Sequence, residues 1–90
     1  MAWTLVYSAS AAREIRKIDP AVRRRIAAAL RKLREEPDRG KPLHFSLRGL
    51  RSWRTGDYRI VYRVVETRIE VLIVAIGHRR DVYSKLHAAL

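Results

Sequence analysis

The chain has 90 residues, 48% of them hydrophobic, and 20 Lys and Arg against 9 Asp and Glu, for a net charge of +11. That length fits one domain, 1–90, with one small core, and the absence of cysteine excludes disulfides, thiolate catalysis and cysteine-based zinc sites. The charge favours a polyanion or an acidic protein as partner, and sixteen of the twenty cations are arginine, whose planar fork grips phosphate.

Trp3-Thr4-Leu5-Val6-Tyr7 is aromatic and β-branched, and predicts a first strand. Ser8 or Ser10 can cap a helix from Ala9 to Ile18, with Ala11, Ala12, Ile15 and Ile18 on its buried side. Asp19-Pro20 ends that helix and starts another, Asp as N-cap and Pro at the first helical position. The second helix runs to about Glu36, with Val22, Ile26, Ala29, Leu30 and Leu33 at helical spacing. Arg23, Arg24, Arg31, Lys32 and Arg34 form its solvated side. Residues 37–50 contain Pro37, Gly40, Pro42 and Gly49 and read as a loop, with an extended piece near Leu43–Leu47. Arg51–Arg54 is a short strand and Thr55-Gly56-Asp57 a tight turn. Tyr58–Val65 alternates: Tyr58, Ile60, Tyr62 and Val64 suit a core against the helices, and the other face carries Arg59 and Arg63. After a turn at Glu66-Thr67-Arg68, Ile69–Ile76 is apolar nearly throughout, as in a central strand covered on both sides. Gly77 to Asp81 reads as a polar turn, and Val82–Leu90 as a short helix or a tail. The order β-α-α-β-β-β predicts an α+β fold, a helical hairpin on one face of a small, mostly antiparallel sheet.

No stretch is long and apolar enough to cross a membrane. Residues 1–8 lack the basic start and long apolar run of a signal peptide, so the expected location is cytoplasmic. His44, His78 and His87 have no HxxxH or HExxH spacing, so no metal is expected. His44 and His87 read as surface residues. There is no phosphate-binding glycine loop and no nucleophile elbow. What remains is a basic and aromatic set on adjacent strands: Arg51, Trp53, Arg54, Arg59, Arg63, His78, Arg79, Arg80 and Tyr83. Such a set can cleave RNA with no cofactor. The 2′-hydroxyl already lies beside the scissile phosphate, so the protein must orient it, remove its proton and neutralise the phosphorane.

Gly56-Asp57-Tyr58-Arg59-Ile60-Val61-Tyr62 followed by Gly77-His78-Arg79-Arg80-Asp81-Val82-Tyr83 resembles the RelE branch of the RelE/ParE toxin superfamily. Ser8–Ile15 and the Asp19-Pro20 break are similar to it as well. The resemblance implies the toxin of a type II toxin–antitoxin pair, a metal-independent endonuclease that cuts mRNA in the ribosomal A site and is blocked by a cognate antitoxin. It implies that Arg59 and Arg79 act on the scissile phosphate and that Tyr83 stacks on, orients or deprotonates the reacting nucleotide. Arg51, Arg54, Arg63 and Arg80 are the expected RNA contacts. The RelE pattern has lysines on the strand before the turn, one of them a candidate base. Here that strand reads Leu50-Arg51-Ser52-Trp53-Arg54. Arginine stays protonated and is a poor base, so His78 is the substitute considered. The alternatives are a ParE-type module that poisons gyrase without hydrolysis, and an inactive relative that binds an antitoxin.

Overall fold

The computed structural model describes the backbone of residues 2–89 and the side chains of residues 2–86. The elements are β1 (Thr4–Tyr7), α1 (Ala9–Lys17), α2 (Pro20–Glu35), β2 (Lys41–Pro42), β3 (Arg51–Thr55), β4 (Tyr58–Val65), β5 (Glu70–His78) and α3 (Asp81–Ala89). The five strands lie in the order β1-β5-β4-β3-β2. Only the β1–β5 pairing is parallel. The expected mixed α+β architecture is therefore present, with a small added edge strand.

The helix starts follow their capping residues. The Ser8 hydroxyl accepts from Ala11 N–H at 3.0 Å and donates to the Val74 carbonyl at 2.7 Å, so one side chain caps α1 and ties it to β5. Asp19 accepts from Ala21 N–H at 3.0 Å, with Pro20 opening α2. Two arginines of the expected solvated face serve the chain's own carbonyls. Arg23 donates to Ile18 O at 3.0 Å and to Arg16 O at 3.2 Å, closing the hairpin, and Arg34 donates to Trp3 O at 3.1 Å.

The main core lies between α1 and α2 and one face of the sheet. Ile26, Leu33, Ile60, Tyr62, Val71, Ile73 and Ile76 are fully buried there. Each aliphatic side chain so buried contributes about 1.5–3 kcal/mol. Trp3, Trp53 and Tyr58 pack against this core from its edges. The Tyr62 hydroxyl donates to Pro37 O at 2.6 Å and accepts from Gly40 N–H at 2.8 Å, which fastens the loop after α2 to the sheet. Burial pushes the Tyr62 phenol above its ordinary pKa, and the hydrogen bond from Gly40 acts in the opposite sense.

The sequence expectations fail in two places. The extended piece of the 37–50 loop is Lys41–Pro42, not Leu43–Leu47; Phe45–Leu47 is a turn of 3-10 helix entered through a left-handed Phe45 at φ +56°. Gly77 and His78 continue β5 instead of turning, because the ladder to β4 runs on through Arg59–Gly77 and Tyr58–His78. Elsewhere the strand read as covered on both sides is covered, and the segment read as a helix or a tail is a helix. Val82 and Leu86 of α3 cover Val61 and Ala75, with Leu47 beside them, in a second buried cluster. An irregularity in the β4–β5 register after Val61 lets both cores form. It leaves Val74 and Ala75 with the α3 cluster, while Ile73 and Ile76 both belong to the main core. The surface position expected for His87 lies outside the described side chains.

Candidate active site

Residues directly opposite each other in an antiparallel pair share a sheet face. Ser52 lies opposite Val61, Arg54 opposite Arg59, and Arg59 opposite Gly77. Val61 belongs to the cluster under α3, so Ser52, Arg54 and Arg59 project on the α3 side. Tyr83, in the first turns of α3, reaches back to this row. Its hydroxyl accepts from the Arg59 guanidinium at 3.1 Å and donates to Ser52 Oγ at 2.9 Å. The guanidinium carbon also lies 5.5 Å from the centre of the Tyr83 ring. Arg59 Nε is buried with no hydrogen-bond partner, alone in this among the described residues. An unmet buried donor costs about 1–3 kcal/mol until an acceptor meets it.

Two lobes open beside this pair. The first, about 490 Å³, is lined by Arg54, Asp57, Arg59, Arg79, Arg80 and Asp81. The second, about 570 Å³, lies toward β2 and is lined in part by Lys41, His44, Ser52, Trp53, Arg59 and Tyr83. Arg54 and Arg59 belong to both. Like charges placed directly across a strand pair repel. An anion between Arg54 and Arg59 relieves that repulsion, so the lobes have the electrostatics of a phosphate site.

The structure brings Arg54, Arg59, Arg79, Arg80 and Tyr83 together. Arg79 holds a left-handed backbone at φ +52°, and its N–H donates to Asp57 O at 2.6 Å. Such a conformation is strained for a residue with a side chain, and is kept where surrounding contacts fix it. His78 is not brought to this group. It lies opposite Tyr58, shares the helix-covered face with it, and meets its ring edge-on at 5.4 Å. The nearest carboxylate oxygen, from Asp57, is 4.0 Å away. Arg51 also stands apart: it donates to Gly40 O at 2.7 Å and to Asp38 O at 3.2 Å, and so holds the loop. Arg63 is exposed on the α3 side of β4, outside both lobes.

A family model described as the ParE toxin of type II toxin–antitoxin systems matches residues 5–83, which include Arg59, Arg79 and Tyr83. This chain belongs to the RelE/ParE superfamily of type II toxins. It is 34% identical over 87 residues to the toxin RelG of Mycobacterium tuberculosis, covering 94% of this chain and 100% of that one. It is 29% identical over 93 residues to the mRNA interferase toxin RelE of Escherichia coli, covering 94% of each. The toxin–antitoxin complex RelBE2 of Mycobacterium tuberculosis contains a chain of the same fold, with a TM-score of 0.81 and 33% identity over 88% of this chain and 100% of that one.

Two parts of the toxin's cleft go beyond the residues expected from sequence. Ser52 had a signal: it is two residues from Arg54 on one strand, so both share a face. Lys41 and His44 had none. They come from a loop with no periodicity, and only the folding of that loop over the edge of β3 places them on the lobe wall.

Proposed function

We propose that this toxin is a ribosome-dependent mRNA endonuclease that cuts by attack of the 2′-hydroxyl without a metal, and that a cognate antitoxin covers the cleft to silence it. The carrying observation is the Arg59–Tyr83–Ser52 relay at the junction of two basic lobes, with a buried Arg59 donor left unmet. In this reading the scissile phosphate sits between Arg59 and Arg79. Their guanidinium groups are charged before the reaction and need no rearrangement as negative charge grows on the phosphorane oxygens. Tyr83, fixed at both Arg59 and Ser52, orients the reacting nucleotide. Arg54 and Arg80 draw in the neighbouring phosphates. His78 has no part in this chemistry, and Arg51 acts through the loop it braces.

The relative from Escherichia coli is named an mRNA interferase, which supports the same activity for this chain. The antitoxin partner is drawn likewise from the complex in which the Mycobacterium tuberculosis neighbour was solved. A gyrase-poisoning module is the second reading, favoured by the ParE description of the matching family model. Arg59 and its unmet donor favour the first, because a module that poisons without hydrolysis has no use for a phosphate-directed relay. The deciding experiment expresses the chain without an antitoxin and maps mRNA 5′ ends. Cuts confined to translated codons support the interferase. Growth arrest with intact mRNA and lost DNA supercoiling supports the gyrase reading instead.

A further inference from the structure

We propose that His44 is the proton acceptor of this RNA cleavage. The assignment rests on the interferase reading and fills its gap, since the cleft has arginines where a base is needed. His44 lines the lobe that Ser52, Arg59 and Tyr83 also line. At about 570 Å³ that lobe is within the size range of small-ligand sites. A ribose held there, its 3′-phosphate on Arg59, shares the lobe with His44.

The other groups of the two lobes are less suited to the task. The arginines, and Lys41 while charged, offer no lone pair, and the Tyr83 hydroxyl is already engaged, accepting from Arg59 and donating to Ser52. Asp57 and Asp81 line the other lobe, and carboxylates are weak bases at neutral pH. A neutral imidazole has a free lone pair and a basicity suited to neutral conditions. Among the described side chains, His44 is the one imidazole on either lobe.

The backbone that carries His44 is anchored. Leu43 N–H donates to Leu50 O at 2.9 Å, and Leu47 N–H donates to His44 O at 3.1 Å. The next residue, Phe45, takes φ +56° and is 94% exposed. No core contact explains a left-handed aromatic so placed, and strain of this kind gathers where a segment is held for function. Arg39, Lys41 and Arg54 stand on the same lobe and draw the RNA backbone toward the imidazole.

The step balances. The 2′-O–H bond breaks and its proton passes to the imidazole nitrogen, while the 2′-oxygen forms a bond to phosphorus. The bond from phosphorus to the 5′-oxygen breaks, and that oxygen takes a proton from water at the mouth of the cleft. The products are a 2′,3′-cyclic phosphate and a 5′-hydroxyl, and the imidazolium returns its proton to solvent.

The test is single-turnover cleavage of ribosome-bound mRNA by the purified full chain, with and without added imidazole. His44→Ala is expected to cut about 10²- to 10⁴-fold more slowly, and free imidazole to restore part of that loss. Arg59→Ala is expected to be slow with or without imidazole. His44 is exposed, so circular dichroism should show an intact fold, and His44→Gln gives a second variant of similar size. His44→Ala cutting at the unaltered rate overturns the assignment alone. A loss that imidazole does not restore also overturns it, leaving His44 a positioning residue. If the unaltered chain leaves ribosome-bound mRNA whole, the interferase reading itself fails.

Discussion

Gly77 links the fold to the site, and Gly77→Ala measures that link. Gly77 sits in β5 opposite Arg59, where α3 crosses the sheet. A Cβ there would stand 2.9 Å from Val82 Cβ, 3.1 Å from its Cα and 3.3 Å from its Cγ2. Carbon atoms at rest are about 3.5–4.0 Å apart, so the start of α3 must retreat by roughly 0.5–1 Å. Val82 is fully buried and cannot yield by swinging into solvent. Overpacking of this kind costs about 1–3 kcal/mol. For a domain of this size each kcal/mol lowers Tm by about 4–8 °C. Tyr83 moves with Val82, and its bonds of 2.9 and 3.1 Å to Ser52 and Arg59 stretch toward the limit of a hydrogen bond. Urea unfolding should therefore give a lower midpoint, and cleavage by the folded variant should fall toward the rate of a Tyr83→Phe control, which lacks the hydroxyl bonded to Arg59 and Ser52. Unchanged stability together with unchanged cleavage would refute the idea that Gly77 seats α3 and, through it, the relay.

Ser52→Ala removes the acceptor of the Tyr83 hydroxyl and should lower kcat by up to about tenfold, the equivalent of one ordinary hydrogen bond; single-turnover rates check this. Arg54→Ala and Arg80→Ala should each reduce the slope of log affinity against log salt by about 1, read from RNA binding across a KCl series. Tyr62→Phe leaves the Gly40 N–H and the Pro37 carbonyl unmet and should cost about 1–3 kcal/mol by urea unfolding. The Tyr62 phenol is raised in the fold, so between the ordinary value of 10.0 and the folded value the unfolded chain alone loses its proton. Stability is then full below pH 10.0 and falls as pH rises beyond it. Tyr62→Phe should make that alkaline fall shallower, the remainder coming from Tyr7, which burial also raises.

The fold was legible where local chemistry and tertiary packing agree. Ser8 and Asp19 cap the helices that their positions announce, and the alternation of Tyr58–Val65 gives a strand of that span. It was illegible where a distant element decides. Gly77 has the composition of a turn, yet it extends β5 because α3 needs the space above it. The apolar run of β5 signals cover on both faces, but nothing in Val61 or Ala75 says that α3 provides it. The same division holds at the cleft. Arg54 and Arg59 fall on one face by strand periodicity and hairpin pairing, and Tyr83 joins them from α3. His78 sits next to Arg79 in sequence, but it is still in β5 one residue after Gly77, and that places it opposite Tyr58, on the face away from Arg59. His44 reaches the lobe through a loop path that periodicity does not encode.

The proposed role of Arg59 and Tyr83 in phosphodiester cleavage of mRNA on the ribosome is read from the chemistry of the product ends, when purified protein meets ribosomes holding an mRNA with a defined codon in the A site. Cleavage is expected at that codon with a 5′-hydroxyl on one fragment and a 2′,3′-cyclic phosphate on the other, lost in Arg59→Ala. Intact mRNA under those conditions, with the same protein blocking supercoiling by purified gyrase, would contradict it.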